Sequence, residues 1–323
     1  MIAGPVARSK EPDADTGIPL LDWFAARPRA SALAGALAIS VSGIFYRNAA
    51  VTPETGAFFR ALYGLPLLAL VAWLEWRRHG PLPVTAIRMA AIAGLFFAAD
   101  LVLWHHSIEW VGAGLATVIG NLQAVMVVLV AWLLLGERPS GRTLLAIPIV
   151  LAGTALISGI FGSGAYGRDP VLGVVFGVLT ACCYTGYLLT LRRGGRDLRR
   201  PATPVAIATI ATILGAGALG TIDGGLALAP TWPAHGWLIA LGIVCQSAGS
   251  VFIGVSLPRL PAALTSIILL AQPVASVVLS RILLAETPSI TQYAGVALVI
   301  AGIALATLPL ERYAGRGREA VAQ

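Results

Sequence analysis

The residues of this 323-residue chain with the widest chemical reach stand inside apolar runs. Arg60 lies about six residues into one of them. An Arg well inside a membrane span costs about 2.5–3.5 kcal/mol on insertion scales, so something must offset it. Its planar fork of donors suits a carboxylate or phosphate. The plainer alternative is snorkelling to the outer headgroups. Asp100 reads as the one acid deep within a span. Such carboxylates serve as proton relays or cation sites, and the alternative is a structural ion pair with Arg60 on a neighbouring helix. Trp104 shares a helix face with Asp100 at i, i+4 and is a candidate wall. His105, His106 and Glu109 close the same run. His105 and Glu109 have the spacing of a metal pair, but a third ligand is not evident, so no metal site is expected. A hydrogen-bonded helix end or a pH-sensitive gate is the preferred reading.

Four neutral amides also lie in apolar runs: Asn121, Gln123, Gln246 and Gln272. Buried amides glue membrane helices together, and those facing a cavity hydrogen-bond a ligand. Tyr46, Tyr63, Tyr184 and Tyr187 either line a path or pack. The expected binding set is therefore Arg60, Trp104, Asn121, Gln123, Gln246 and Gln272, with Asp100 and His105 as coupling or gating residues. No catalytic residue is expected. The chain has no GxxxxGK[ST], no GxSxG and no HExxH, so neither an ATP-driven pump nor a hydrolase is supported, and no cofactor is implied.

The elements that carry these residues follow from composition. Hydrophobic residues make up 57% of the chain and charged residues 11%. Soluble domains carry about 25% charged residues, so most of this chain has lipid as its solvent. About 20 helical residues cross a hydrocarbon core. Ten such spans are read: 30–47, 54–74, 86–105, 111–135, 141–160, 171–191, 203–222, 235–256, 262–284 and 289–309. Pro66, Pro148 and Pro273 fall inside spans and are expected to kink them. Cys182, Cys183 and Cys245 lie in apolar runs and read as small packing residues. Residues 1 to 29 read as a polar, mobile tail, with Leu20 to Phe24 lying on the membrane surface as the alternative. No apolar core precedes Ala30, so a cleaved signal peptide is not expected.

The stretch 112–156 returns as 262–305 at an offset of 149 residues. Gln123 falls on Gln272, Glu137 on Glu286, Pro139 on Pro288 and Ser140 on Ser289. Apolar matches are cheap in such a chain, but polar matches in register are not, so the chain is an internal duplication. Its halves are 30–160 and 171–309, followed by a tail from residue 310. With the N-terminus cytoplasmic, 18 of the 22 Lys and Arg residues fall on the inside, leaving Arg47, Arg60, Arg168 and Arg281. That bias places both termini in the cytoplasm. Five spans per half is an odd number, so the second half enters inverted, a plan that sets the substrate near mid-membrane.

The hairpins AWLLLGERPS and SRILLAETPS, with GAGLATVIGNLQ and LPAALTSIILLAQP before them, resemble the paired EamA-type domains of the drug/metabolite transporter superfamily. DLVLWHHSIEW, from Asp100 to Trp110, is similar to the end of the third helix in one subgroup. Arg60 falls on the basic residue usual early in the second helix. Ala285 and Arg281 depart from the pattern, which has Gly and an apolar residue at those places. The resemblance covers roughly residues 30–309. It implies a ten-helix inner-membrane carrier, commonly an exporter of amino acids or other small metabolites, without a cofactor. The expected fold is an all-α membrane protein of ten helices in two inverted five-helix repeats. Its partners are a small-molecule substrate and membrane lipid, with protons as candidate coupling ion and no nucleic acid. Monomer and homodimer both stay open. The alternatives in function are a passive facilitator and a membrane-embedded enzyme acting on lipid-linked substrates.

Overall fold

The computed structural model describes residues 16–157, 169–283 and 289–307. These residues are helical with short connections, and no strand occurs among them. The helices are α1 (Pro19–Ala25), α2 (Pro28–Ser40), α3 (Ser42–Ala49), α4 (Pro53–His79), α5 (Val84–Gly120), α6 (Gln123–Leu135) and α7 (Gly141–Ile157). The second half has α8 (Pro170–Gly194), α9 (Ala202–Asp223), α10 (Ala234–Ala240), a π-helical segment (Leu241–Gly249), α11 (Ser250–Ser256), α12 (Ala262–Leu269), α13 (Ala271–Leu283) and α14 (Ile290–Thr307).

Among the described residues, seven stretches are long and apolar enough to cross a membrane: Pro28–Ala49, Pro53–His79, Val84–Trp110, Val171–Gly194, Ala202–Asp223, Ala234–Ser256 and Ile290–Thr307. Three shorter apolar helices accompany them, Gln123–Leu135, Gly141–Leu156 and Ala262–Ser276. Their outward faces are apolar too. Leu133, Leu134, Val171, Leu214 and Ile290 are each more than 60% exposed. Patches of that size in water mark binding or aggregation; here they mark contact with lipid.

Several boundaries differ from the sequence reading. The first span is broken at Val41 into α2 and α3. Residues 18–25 are not a loose tail: α1 lies against α11, Leu21 is buried, and the Phe24 and Phe252 rings are 4.4 Å apart. The helical run α5 is 37 residues long, about 55 Å if straight. It is not straight. Ser107 and Ile119 would stand about 18 Å apart in a straight helix. Yet Ile119 Cγ2 and Ser107 Oγ lie 2.8 and 3.1 Å from the point where a Cβ on Gly177 would sit. The chain therefore doubles back between them, and both arms pack on α8.

The run breaks again at Asn121 and Leu122, where the Leu122 N–H reaches only to the Ile119 carbonyl. The counterpart break is at Leu270, between α12 and α13. There the reason is Pro273, which cannot donate and whose ring would meet the carbonyl four residues back. It falls in the first turn of α13, where no donor is needed, so it ends one helix and starts the next rather than kinking a span.

Packing between the halves is reciprocal. α4 lies on α9, and α7 on α14. α5 packs on α8 and α9, while α10 packs on α3 and α4, the π segment on α2 and α4, and α11 on α2. One end of the bundle gathers arginines. Arg192 pairs with Glu137, and its Nε donates to the Leu257 carbonyl at 2.9 Å. Arg200 donates to Gly80 O at 2.7 Å, Arg259 to Leu198 O at 2.8 Å and Arg29 to Thr307 O at 2.8 Å. These side chains therefore tie loops together by capping carbonyls, besides supplying charge. Glu137 also accepts from Ala262 N at 3.1 Å, so the hairpin of the first half caps α12 of the second. Glu286 and Pro288 lie outside the described residues, as do 158–168 and the side chain of Arg281.

The opposite end is acidic. It carries Glu54, His106, Glu109 and Asp223. Two acids besides Asp100 are deeply buried in the protein, Glu54 and Glu75, each toward an end of α4. Glu75 has a structural task. Its carboxylate accepts from Ala202 N at 2.9 Å, Thr203 N at 2.8 Å and Thr203 Oγ1 at 2.6 Å, so α4 caps the start of α9.

Candidate functional site

α4 and the π segment cross where each has a glycine. A Cβ on Gly64 would lie 2.8 Å from the Gly242 carbonyl oxygen, and one on Gly242 would lie 2.7 Å from Gly64 N. Only glycine on both sides permits this approach, the small-residue contact by which lipid-embedded helices associate. Ser247 Oγ fastens the crossing by donating to Gly64 O at 2.8 Å. One turn along each helix from the two glycines stand Arg60 and Gln246. The crossing brings them together: Arg60 Nε donates to Gln246 Oε1 at 3.2 Å. Gln246 in turn donates from Nε2 to Thr209 Oγ1 on α9 at 2.9 Å. Its amide is thus oriented, oxygen toward the guanidinium, by a hydroxyl that sequence reasoning missed. A π-helical stretch is a frequent mark of functional sites, and here it carries the residue that holds Arg60.

The Arg60 guanidinium also stands 5.4 Å over the Phe97 ring. The residue is buried. No acceptor among the described residues bonds its two terminal nitrogens. Asp100 is buried on α5 within electrostatic reach of Arg60, Tyr184 and Tyr187, but Arg60 and Asp100 form no ion pair within 4.0 Å. The structural pair considered from the sequence is not formed.

A small cavity adjoins Arg60, lined also by Tyr46, Gly56, Leu101, Trp104 and His105. It has room for little more than a water, so this conformation is closed around the site. His105 Nδ1 lies 2.5 Å from the Leu101 carbonyl oxygen. A carbonyl only accepts, so Nδ1 carries the proton. Nε2 is buried and has no hydrogen-bond partner among the described residues. The ring centroid lies 4.0 Å from that of Tyr46, with the planes tilted at 42°, and the Tyr46 hydroxyl donates to Val51 O at 3.0 Å. His105 therefore faces inward, and the histidine beside Glu109 is His106.

Of the expected residues, the structure brings together Arg60, Gln246, Trp104 and His105, with Asp100 near. Asn121, Gln123 and Gln272 do not line this cavity. Asn121 occupies the break between α5 and α6. Gln123 is buried at the start of α6, its Oε1 without a hydrogen-bond partner among the described residues. Gln272 is half-buried in the first turn of α13. A larger groove between α2, α13 and α14 is lined by Leu33, Leu37, Val274, Val278, Ile300 and Ile303 among others. It offers a polar metabolite almost nothing to bond.

An all-helical bundle with lipid-facing apolar surfaces and polar groups converging inside is a multi-pass membrane protein. The EamA-like transporter family model matches residues 30–159 and again 171–308, and the chain belongs to that family. An uncharacterized transporter of Synechocystis, sll1319, is 29% identical over 289 residues, 82% of this chain and 84% of its own. The uncharacterized transporter YwfM of Bacillus subtilis is 25% identical over 259 residues, 78% of this chain and 83% of its own. A solved crystal structure at 21% identity superposes with a TM-score of 0.73 over 87% of this chain and 98% of that one, a likeness of fold alone. These relatives make the chain a transporter, not an enzyme.

Proposed function

We propose that this protein is a secondary transporter that exports a small metabolite bearing a carboxylate, such as an amino acid, by alternating access. Arg60 carries the reading. Its guanidinium is buried, its Nε is held by Gln246, and its two terminal nitrogens have no described acceptor. A buried charge without a counter-ion is costly, and an anionic substrate group supplies the missing partner. Trp104 and His105 wall the same cavity. Asp100 and His105 are the candidates for proton coupling. Asn121, Gln123 and Gln272 are proposed to meet the substrate only when the bundle opens differently.

The chain crosses the inner membrane ten times in two inverted halves, 30–160 and 171–309, with both termini cytoplasmic. The clustering of Arg29, Arg192, Arg200 and Arg259 at one end supports this orientation. α2 starts and its counterpart α8 ends at that arginine-rich end, which an odd number of passes per half explains.

The test is transport in liposomes, with a panel of labelled amino acids and small carboxylates, with and without a pH gradient. Saturable flux that rises with the gradient, and is lost in Arg60→Ala, is the expected result. Saturable flux indifferent to the gradient would make the protein a passive facilitator. Undiminished flux in Arg60→Ala would remove the anchor.

A further inference from the structure

The acidic end of the bundle carries a cluster that the transport reading does not use. Glu54 opens α4, His106 lies in α5, and Asp223 ends α9. Glu54 Oε1 is 3.3 Å from His106 Nε2, and Asp223 Oδ2 is 3.9 Å from the same nitrogen. The three ligand atoms all lie within 4.8 Å of one another. Ligands about 2.0–2.2 Å from a tetrahedral zinc stand roughly 3.3–3.6 Å apart. One edge of the triangle has that length already, and the others must close by an ångström or so. Asp223 is 63% exposed at a helix end followed by Gly224 in a left-handed turn, so it is free to make that movement.

Glu54 is the unusual member. Its side chain is only 2% exposed, and Oε1 has no hydrogen-bond partner among the described residues. The space for it is built: a Cβ on Gly225 would fall 2.3 Å from Glu54 Oε2, and one on Gly220 would fall 2.8 Å from Glu54 Cβ. The Gly225 loop is itself pinned, because Thr52 and Thr55 hydroxyls donate to Gly225 O at 2.5 and 3.1 Å. A buried carboxylate is therefore aimed at an imidazole nitrogen. On the other side of that ring, His106 Nδ1 faces Glu109 Oε2 at 3.4 Å. A metal-binding histidine almost always donates its second N–H to a carboxylate or carbonyl, which fixes the tautomer and the ring.

We propose that Glu54, His106 and Asp223 bind a divalent transition metal, with zinc as the best fit, and that Glu109 positions His106 for it. Three protein ligands leave a fourth place for water. One nitrogen and two carboxylates suit zinc better than calcium or magnesium, which want six or more oxygens. Two carboxylates and a neutral imidazole also balance the ion's charge. The site joins α4, α5 and α9, and Glu54 and His106 stand next to the cavity residues Gly56 and His105. A bound ion ties these helices together and holds this end of the carrier shut; that consequence rests on the transporter reading, whereas the binding itself does not.

The experiment is calorimetric titration of the detergent-purified full-length protein with zinc chloride after removal of any histidine tag. Cobalt chloride serves as an optical probe of nitrogen and oxygen ligation. One zinc per chain is expected, with no heat from magnesium. His106→Gln, Asp223→Asn and Glu54→Gln should each weaken binding about tenfold or more, and Glu109→Gln by about tenfold. Absence of saturable zinc binding, or equal affinity in wild type, His106→Gln and Asp223→Asn, would overturn the proposal. Asp223 is at the surface, so its variant decides the matter even if Glu54→Gln fails to fold. Because no substrate is present, failure here is separate from failure of the transport reading.

Discussion

Replacing Arg60 with Met separates a structural arginine from a substrate anchor, because the two roles predict different stabilities. If Arg60 were half of a buried pair with Asp100, its removal would leave an uncompensated charge and cost about 3–5 kcal/mol. The geometry argues otherwise, since the guanidinium bonds Gln246 and lies over Phe97 but does not pair with Asp100. Taking a lone Arg out of a span recovers about 2.5–3.5 kcal/mol. Losing the bond to Gln246 costs about 1.5–3 kcal/mol. Losing the face of Phe97 costs about 0.5–1 kcal/mol. These contributions nearly cancel, leaving Arg60→Met within about 1.5 kcal/mol of wild type, a shift of a few degrees in Tm. Transport should respond very differently. Two charge-assisted hydrogen bonds to a carboxylate are worth about 1.5–3 kcal/mol each. At 1.4 kcal/mol per tenfold, their loss weakens apparent substrate affinity by about 10²- to 10⁴-fold. Thermal unfolding in detergent and flux in liposomes measure the two quantities on the same preparation. A Tm lower by ten degrees or more, with unchanged KM for the transported substrate, would refute the argument and return Arg60 to a structural role.

Glu75→Ala strands the Ala202 and Thr203 N–H groups at the start of α9, each worth about 1–3 kcal/mol. It should lower Tm well beyond Arg60→Met and leave the KM of the surviving protein unchanged. Gly242→Val forces a side chain into the Gly64 backbone and should cost about 1–3 kcal/mol as overpacking, measured as Tm, while slowing transport by parting Arg60 from Gln246. In the loop before α9, partial burial pushes the Asp197 carboxyl upward, but hydrogen bonds from Arg200 and Arg199 outweigh it and hold the pKa below the usual carboxylate range. Its contribution is then complete at neutral pH and is lost as pH falls through the depressed native value. Asp197→Asn should therefore flatten the acid side of the stability–pH curve, and an unchanged acid limb would contradict the pairing.

The sequence showed the spans and the duplication because membrane burial writes long apolar runs and because Gln, Glu, Pro and Ser recur at one spacing. It showed Arg60 and Gln246 because polar side chains in apolar runs are conspicuous. It did not show that the two meet. Their meeting depends on Gly64 and Gly242 facing each other, and glycine is too common here, at 36 residues, for any one pair to stand out. Thr209 was invisible for a related reason: threonines in membrane helices mostly bond their own backbone, as Thr154 and Thr185 do. Spacing along one helix sets His105 with Glu109 at i, i+4. The structure instead turns His105 inward to the Leu101 carbonyl and leaves His106 to Glu54, Glu109 and Asp223. Two of those partners come from other helices, 52 positions before and 117 after His106. Periodicity reports which face of a helix a residue occupies. It cannot report what another helix brings to that face, and in this bundle both polar clusters are made by what neighbouring helices bring.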